Sequence, residues 1–508
     1  MTSARVTLDP HRAVGIIDRR LFGSFVEHLG RCVYDGIYEP GHPTADADGF
    51  RGDVLALVRE LGVSTVRYPG GNFVSGYRWE DGVGPRDERP RRLDLAWHSL
   101  ETNEIGLDEF ALWARKADAE LMYAVNLGTR GIAEALDVLE YANIRSGTRW
   151  SDLRVAHGTP EPHRIRMWCL GNEMDGPWQL GASTPAEYAE IAAKTANAMR
   201  QIDPSVELVV CGSSGAQMPT FGEWERVVLE RTYDNVDFIS CHAYYEPVDG
   251  DYASFLASAT DMDHFIETVA AIADEVKART GSDKDVHISF DEWNVWYQSR
   301  YNDVEKITDI ETWPIAPRLL EDSYSVADAV VVGNLLISLL RHADRVKAAS
   351  LAQLVNVIAP IMTQPGGGAW RQTTFFPFAE TARLARGTAL DVRVDAAEYE
   401  TARFGRVPVV DAVASLDSDT GAVAIFVVNR SLHESATFEI DVTMLGGMSA
   451  TSARVLSDVD IHARNTREDP ERIALRDLPV QRVDERTLEV TLPAVSWAVI
   501  ELRPGGMR

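Results

Sequence analysis

Short apolar runs alternate with longer segments of helical period through most of the chain, and then the period changes. Residues 4–8 alternate as a strand would, and residues 21–27 read as the next strand. Further apolar runs at 63–68, 121–126, 165–170, 208–212, 236–242, 286–291 and 346–351 complete a set of eight beginning at residue 21. Between them, residues 107–117, 132–145, 185–201, 263–279 and 326–341 carry the spacing of amphipathic helices. Thr184, Pro185 and Glu187 predict a capping box with proline in the first turn. After about residue 386 the helical period gives way to period-two runs at 407–416, 422–428, 436–442, 454–456, 487–492 and 495–502. In the run at 487–492, Leu488, Val490 and Leu492 point one way and Glu489 and Thr491 the other, which predicts a strand with one wet face.

Eight strands alternating with helices suit either an open doubly wound sheet or a closed parallel barrel. The polar residues decide between them. Glu27 and His28, Arg67 and Tyr68, Asn126, Asn172 and Glu173, His242 and Tyr244, Glu292 and Trp293, and Gln353 cluster at the C-terminal ends of nearly all the strands. An open sheet would gather such residues at its switch point, whereas a barrel collects every strand end around one mouth. The expected fold class is α/β: a (β/α)8 barrel over residues 16–386 with an all-β sandwich over residues 387–508. Strand 1–15 is expected to cross over and join the sandwich.

Composition narrows the function. The 508 residues are 45% hydrophobic and 25% charged, as in an ordinary globular protein. Acidic residues outnumber basic ones 77 to 50, a net charge of -27, so nucleic acid and anionic membrane surfaces are expected to be repelled. The N-terminal residues lack the apolar run of a signal peptide, and no later segment has the ~20 apolar residues of a membrane span, so the expected location is the cytoplasm. Cys32, Cys169, Cys211 and Cys241 are scattered without metal or disulfide spacing and read as core residues. His28, His98, His163 and His287 show no paired ligand spacing either, so no metal site and no cofactor are expected. The turn Pro69-Gly70-Gly71-Asn72 lacks the pattern of a phosphate or dinucleotide loop.

The chemistry lies in two stretches of one design. IRMWCLGNEMDGP, residues 165–177, is an apolar strand ending in Asn172 and Glu173. HISFDEWNVW, residues 287–296, is an apolar strand ending in Asp291 and Glu292. Glutamate is rarely buried without a partner, and two of them at strand ends are the pair that cleaves a glycosidic bond. In a sequential barrel, His242 and Tyr244 stand beside the strand of Glu292, and one of them is expected to reach its carboxylate. Arg67 can pair with a carboxylate bidentately and hold it ionised. Trp97, Trp178, Trp293 and Trp296 are expected in loops on the same side, where flat rings suit sugar faces.

SFVEHLGRCVYDGIYEP, VRYPGGNFVSGYRWEDGVGP, WCLGNEMDGPWQLG, CHAYY, DEWNVWY and LAQLVNVIAPIMT, in that order between residues 21 and 363, resemble the intracellular α-L-arabinofuranosidases of glycoside hydrolase family 51. The resemblance implies a retaining mechanism, a jelly-roll C-terminal domain, a homo-hexamer and arabinose-containing oligosaccharides as substrates. It implies acid/base catalysis by Glu173, nucleophilic attack by Glu292, and ring contacts from Glu27, Asn72, Asn172, Tyr244, Trp296 and Gln353. The residues themselves do not choose a furanose over a pyranose. A β-xylosidase or endoglucanase on the same barrel, or a carbohydrate-binding protein without chemistry, stays open at this point.

Overall fold

The computed structural model describes residues 2–309 and 311–504; residues 505–508 of the expected sandwich lie outside the described residues. Eight parallel strands close a barrel: β1 (Gly23–Phe25), β2 (Thr65–Tyr68), β3 (Glu120–Val125), β4 (Met167–Leu170), β5 (Glu207–Val210), β6 (Phe238–Tyr245), β7 (His287–Val295) and β8 (Val346–Ala352). Closure is made by β8 against β1, with Ser350 opposite Gly23 and Ala352 opposite Phe25. All eight correspond to the apolar runs of the sequence. Each is nearly continuous in burial because a barrel strand is covered by helices outside and by its fellow strands inside.

The five expected helices are present as Leu107–Ala117, Ile132–Asn143, Pro185–Ile202, Ala259–Thr280 and Val326–Arg341. Helices Gly52–Leu61, Arg149–Ala156, Glu223–Thr232 and Phe375–Leu384 were not foreseen. The capping box forms as expected: Thr184 Oγ1 donates to Glu187 Oε2 at 2.7 Å, and the Thr184 N–H donates to the same oxygen at 3.0 Å.

Two further sheets pack face to face around a second apolar core that includes Phe438, Ile440 and Val490 from one sheet and Ile425, Val427 and Ile500 from the other. The N-terminal segment enters both of them. Thr2–Thr7 lies between Arg393–Ala396 and Ala436–Asp441, and Ala13–Ile16 extends the other sheet beside Thr388–Leu390. In Thr487–Leu492 the alternation is as read from the sequence, with Leu488, Val490 and Leu492 buried. The short run at 454–456 is the end of a longer strand, Met448–Leu456, whose serines and threonines conceal its period.

Helix Val326–Arg341 joins the two cores. It is buried on every side from Val326 to Leu340, since one face meets the barrel and another the sandwich strands. At its middle, a Cβ on Gly333 would stand 2.1 Å from Trp497 Cδ1, so only glycine lets that indole seat against the helix. Asn334 and Arg341 both hold Asp411 of the sandwich. Each large apolar side chain buried here contributes roughly 1.5–3 kcal/mol.

Candidate active site

The barrel mouth is built from the C-terminal parts of β2, β6 and β7 and from the turns that follow β1, β2, β4, β7 and β8. After β2 the chain turns through Pro69-Gly70-Gly71 between two carboxylates. Gly70 has φ +153°, and a Cβ there would lie 2.5 Å from Glu27 Cγ; a Cβ on Gly71 would lie 3.1 Å from Glu292 Oε1. The glycines therefore let backbone approach both acids closely, and the Phe73 N–H donates to Glu27 Oε1 at 2.9 Å.

After β4 the chain leaves through Gly171 and then holds Glu173 in the left-handed region, at φ +44°. That conformation costs about 1–3 kcal/mol in a non-glycine residue and turns the carboxyl into the mouth. Glu173 is 8% exposed. Its Oε1 lies 2.8 Å from His242 Nδ1, and its Oε2 accepts from Trp178 Nε1 at 2.7 Å.

After Ser289 the strand β7 departs from regular register. Ser289 pairs with Ser240, but Glu292 pairs with His242, so three steps along β7 match two along β6. This bulge breaks the alternation that would put Asp291 and Glu292 on opposite faces. Both acids reach groups inside the mouth. Asp291 Oδ1 stands 3.0 Å from His242 Nε2, and Glu292 Oε1 accepts from Arg67 Nη1 at 2.7 Å while its Oε2 accepts from the Tyr244 hydroxyl at 2.8 Å. Trp293 pays for the register: it lies within the strand, fully buried in the core, and not in a loop where it was expected to meet sugar.

The other expected residues gather around this pair. Arg67 Nη2 donates to Asn172 Oδ1 at 2.6 Å, and Asn172 Nδ2 donates to Asn72 Oδ1 at 3.4 Å. Gln353 Nε2 donates to Glu27 Oε2 at 3.1 Å. Trp97, carried on the hairpin Arg92–Asp94 and Ser99–Glu101, donates through Nε1 to Glu27 Oε1 at 2.9 Å. The Trp296 ring meets Tyr244 edge-on with centroids 5.0 Å apart, and its Nε1 has no hydrogen-bond partner among the described residues. Arg67 also lies over the Phe25 ring, 4.9 Å from its centroid. Asn126 faces elsewhere, bonding to Tyr77 O and Thr129 Oγ1 in a turn.

Burial shapes the charges. It pushes the Glu27 carboxyl up to about 8 against the Phe73 and Trp97 donors, which favour the anion. It pushes Glu292 upward too, as does the charge of Glu173, while His242, Arg67 and the Tyr244 hydroxyl pull it back. For His242, burial acts to lower the imidazole, but Glu292, Asp291 and Glu173 outweigh it and carry the ring up to about 10. Atoms of Glu173, His242 and Glu292 lie within 4.8 Å of one another, a spacing that would also suit a metal ion. Both His242 nitrogens face carboxylate oxygens, Nδ1 that of Glu173 and Nε2 that of Asp291.

Two members of the site were missed in the sequence. Asp291 was seen only as the neighbour of Glu292, and Trp97 only as a platform; a second acid beside Glu292 in a strand buried almost throughout was the available signal for the first. His242 sits closer to Glu173 than to Glu292, at 2.8 Å against 3.7 Å. The expected contact to Glu292 comes from Tyr244.

A closed (β/α)8 barrel with two buried carboxyl groups facing each other across its mouth is the build of a glycoside hydrolase. Comparison with known proteins narrows the class. A family model described as alpha-L-arabinofuranosidase 1 domain matches residues 57–270, and one described as alpha-L-arabinofuranosidase C-terminal domain matches residues 291–496. An exo-alpha-(1->6)-L-arabinofuranosidase of Bifidobacterium longum is 58% identical, covering 99% of this chain and 98% of its own. An intracellular exo-alpha-(1->5)-L-arabinofuranosidase of Streptomyces lividans is also 58% identical, covering 98% of this chain and 75% of its own. The solved structure of AbfB, a family 51 alpha-L-arabinofuranosidase from Bifidobacterium longum, superposes with a TM-score of 0.95 at 51% identity, covering 99% of this chain and 100% of its own. The chain belongs to the α-L-arabinofuranosidases of glycoside hydrolase family 51.

Proposed function

We propose that the protein is an exo-acting, retaining α-L-arabinofuranosidase that removes terminal non-reducing α-L-arabinofuranosyl residues from arabino-oligosaccharides and from arabinan or arabinoxylan fragments. The observation that carries the retaining mechanism is the closeness of the two glutamates, whose oxygens approach within 4.8 Å. Inverting enzymes hold their carboxyl groups roughly 6.5–9.5 Å apart to admit a water, and retaining ones about 5–5.5 Å. The arabinofuranoside follows from family membership, and the relatives' names put it ahead of a xyloside or glucan. Two relatives of equal identity carry different linkages in their names, so the reading is made for the terminal sugar and not for the bond.

In this reading Glu27, Asn72, Asn172, Tyr244, Trp296 and Gln353 hold the arabinose ring. Glu292 attacks the anomeric carbon while Glu173 protonates the departing oxygen, leaving a covalent glycosyl-enzyme. Glu173, now a carboxylate, takes a proton from water, which displaces Glu292 with net retention. No step calls for a cofactor. The family further supports a homo-hexamer, and relatives named as intracellular support a cytoplasmic location. No helix among the described residues is long and apolar enough to cross a membrane.

The roles are separated by azide, a nucleophile that needs no general base. With an activated aryl arabinofuranoside, azide is expected to speed turnover by Glu173→Ala and yield a glycosyl azide of the substrate's own configuration. Glu292→Ala is expected to give only the inverted azide. Identical responses from the two variants, or inverted arabinose released by the wild type and followed by NMR, would overturn the assignment. Binding of arabino-oligosaccharide without release of arabinose would leave a carbohydrate-binding protein. A solution mass other than six times that of the chain would remove the hexamer.

A further inference from the structure

Asp291 is a buried charge that the reaction above leaves without a task. It is 1% exposed, both of its oxygens face protein groups, and it stands directly before the nucleophile in the chain. Its geometry points away from that neighbour. Asp291 Oδ1 is 3.0 Å from His242 Nε2, and across the ring His242 Nδ1 is 2.8 Å from Glu173 Oε1. Among the described residues the other oxygen, Oδ2, has looser neighbours: Arg67 Nε at 3.6 Å, beyond hydrogen-bond reach, and the Cys169 thiol at 3.8 Å.

A neutral imidazole has one N–H, so it cannot donate to two carboxylates. Either His242 carries both protons, or Glu173 supplies the second. In both cases an acceptor at Nε2 keeps a proton there and leaves Nδ1 for Glu173, as tautomers are set in catalytic triads. The charged groups facing His242 are Glu173 and Asp175 after β4 and Asp291 and Glu292 on β7, while Tyr244 on its own strand and Arg67 from β2 meet the same Glu292. Arg67 faces them as the opposing cation, but its tight contacts are with Glu292 and Asn172.

We propose that Asp291 is a positioning residue for the acid/base carboxyl: through His242 it ties Glu173 Oε1 inward, so that Oε2 alone exchanges the catalytic proton. The proposal rests on the acid/base reading of Glu173. Oε2 lies toward Trp178, which is half exposed and able to give way to a leaving group. In the first step the proton passes from Oε2 to the glycosidic oxygen as the bond from that oxygen to the anomeric carbon breaks and the Glu292 bond forms. In the second, water gives its proton to Oε2 as its oxygen replaces Glu292. His242 keeps its protons through both steps.

The test compares Asp291→Asn with Glu173→Ala on two arabinofuranosides, one with an acidic phenol as leaving group and one an oligosaccharide. Asp291→Asn is expected to lower kcat/KM roughly 10- to 100-fold on the oligosaccharide and less than about threefold on the aryl substrate, part of the 10²–10⁴ that proton transfer supplies. Without Asp291 the imidazolium loses an anion that sustains it, so deglycosylation should acquire a pH limb nearer neutrality than in the wild type. In a His242→Gln background, Asp291→Asn should change the oligosaccharide rate by less than about twofold, because the two act as one unit. Melting curves report whether the variant folds; if it does not, Asp291→Glu, which keeps the charge and displaces the ring, is expected to show the same substrate split in weaker form. Equal losses on both substrates would place Asp291 behind Arg67 and Glu292 and overturn the proposal, as would unchanged rates or full additivity with His242→Gln. If Glu173→Ala itself shows no dependence on leaving group, the acid/base reading falls and takes this one with it; if only Asp291→Asn lacks it, the proposal falls alone.

Discussion

Arg67 binds the mouth together, and replacing it by methionine is expected to shift the acid limb of kcat/KM upward. The guanidinium touches Glu292 Oε1 at 2.7 Å and Asn172 Oδ1 at 2.6 Å, with Asp291 3.6 Å away, and only 1% of it is exposed. Burial already raises Glu292, and Arg67 is among the groups that pull it back. A hydrogen bond to a charged group is worth about 1.5–3 kcal/mol, and 1.36 kcal/mol is about one pH unit, so losing this one should move the limb up by roughly one to two units. The sign follows from the anion being the reactive form: without its cation Glu292 keeps its proton to higher pH, and activity appears later as pH rises. The assay is kcat/KM against pH on an aryl arabinofuranoside with an acidic leaving group, where protonation by Glu173 matters least. Removing one member of a buried pair also costs about 3–5 kcal/mol, so the variant needs a melting curve beside it. Arg67→Lys keeps the charge without the fork and should give a smaller shift. A rate lowered equally at every pH, with the limb in place, would show that Arg67 only orients Asn172 and would refute the electrostatic argument.

Gly70→Ala should raise KM more than it lowers kcat, because the new Cβ would stand 2.5 Å from Glu27 Cγ and displace a ring contact; unchanged steady-state kinetics would count against Glu27 as that contact. Gly333→Ala should cost about 1–3 kcal/mol, since overpacking against Trp497 outweighs the gain in helix propensity, and a melting temperature equal to the wild type's would contradict the close approach. Glu27 is held up at about 8 against an ordinary 4.5, so the folded state keeps a proton that the unfolded chain releases, and this group's contribution to stability is lost as pH rises from about 4.5 to about 8. Glu27→Gln should flatten the fall of melting temperature over that window; parallel curves for the two proteins would refute it.

The fold was legible wherever burial and period agreed. All eight barrel strands stand where continuous apolar runs stood, because a strand covered on both sides has to be apolar throughout. Helix Glu223–Thr232 escaped notice because so many of its positions are polar: its inward face is Trp224, Val228 and Leu229, and its buried Glu225 accepts from the N–H groups of Ser213 and Gly222 and does not pack. The strand Met448–Leu456 escaped because serine and threonine suit an exposed strand as well as a loop.

The site was legible in kind and not in connection. Glutamates at apolar strand ends announced chemistry, but the bulge in β7 follows from no residue that marks it, and that bulge decides which acid meets which base. Its consequence is a charge balance. Arg67 and an imidazolium at His242 face Asp291 and Glu292 as anions, with Glu27 held up at about 8. With Glu173 protonated, those charges cancel. In the proposed reaction the Glu173 proton departs as positive charge develops on the sugar ring, so the mouth becomes negative at the moment the oxocarbenium-like transition state needs an anion. A ground-state substrate, which is neutral, gains nothing from that change, and the stabilisation falls on the transition state alone.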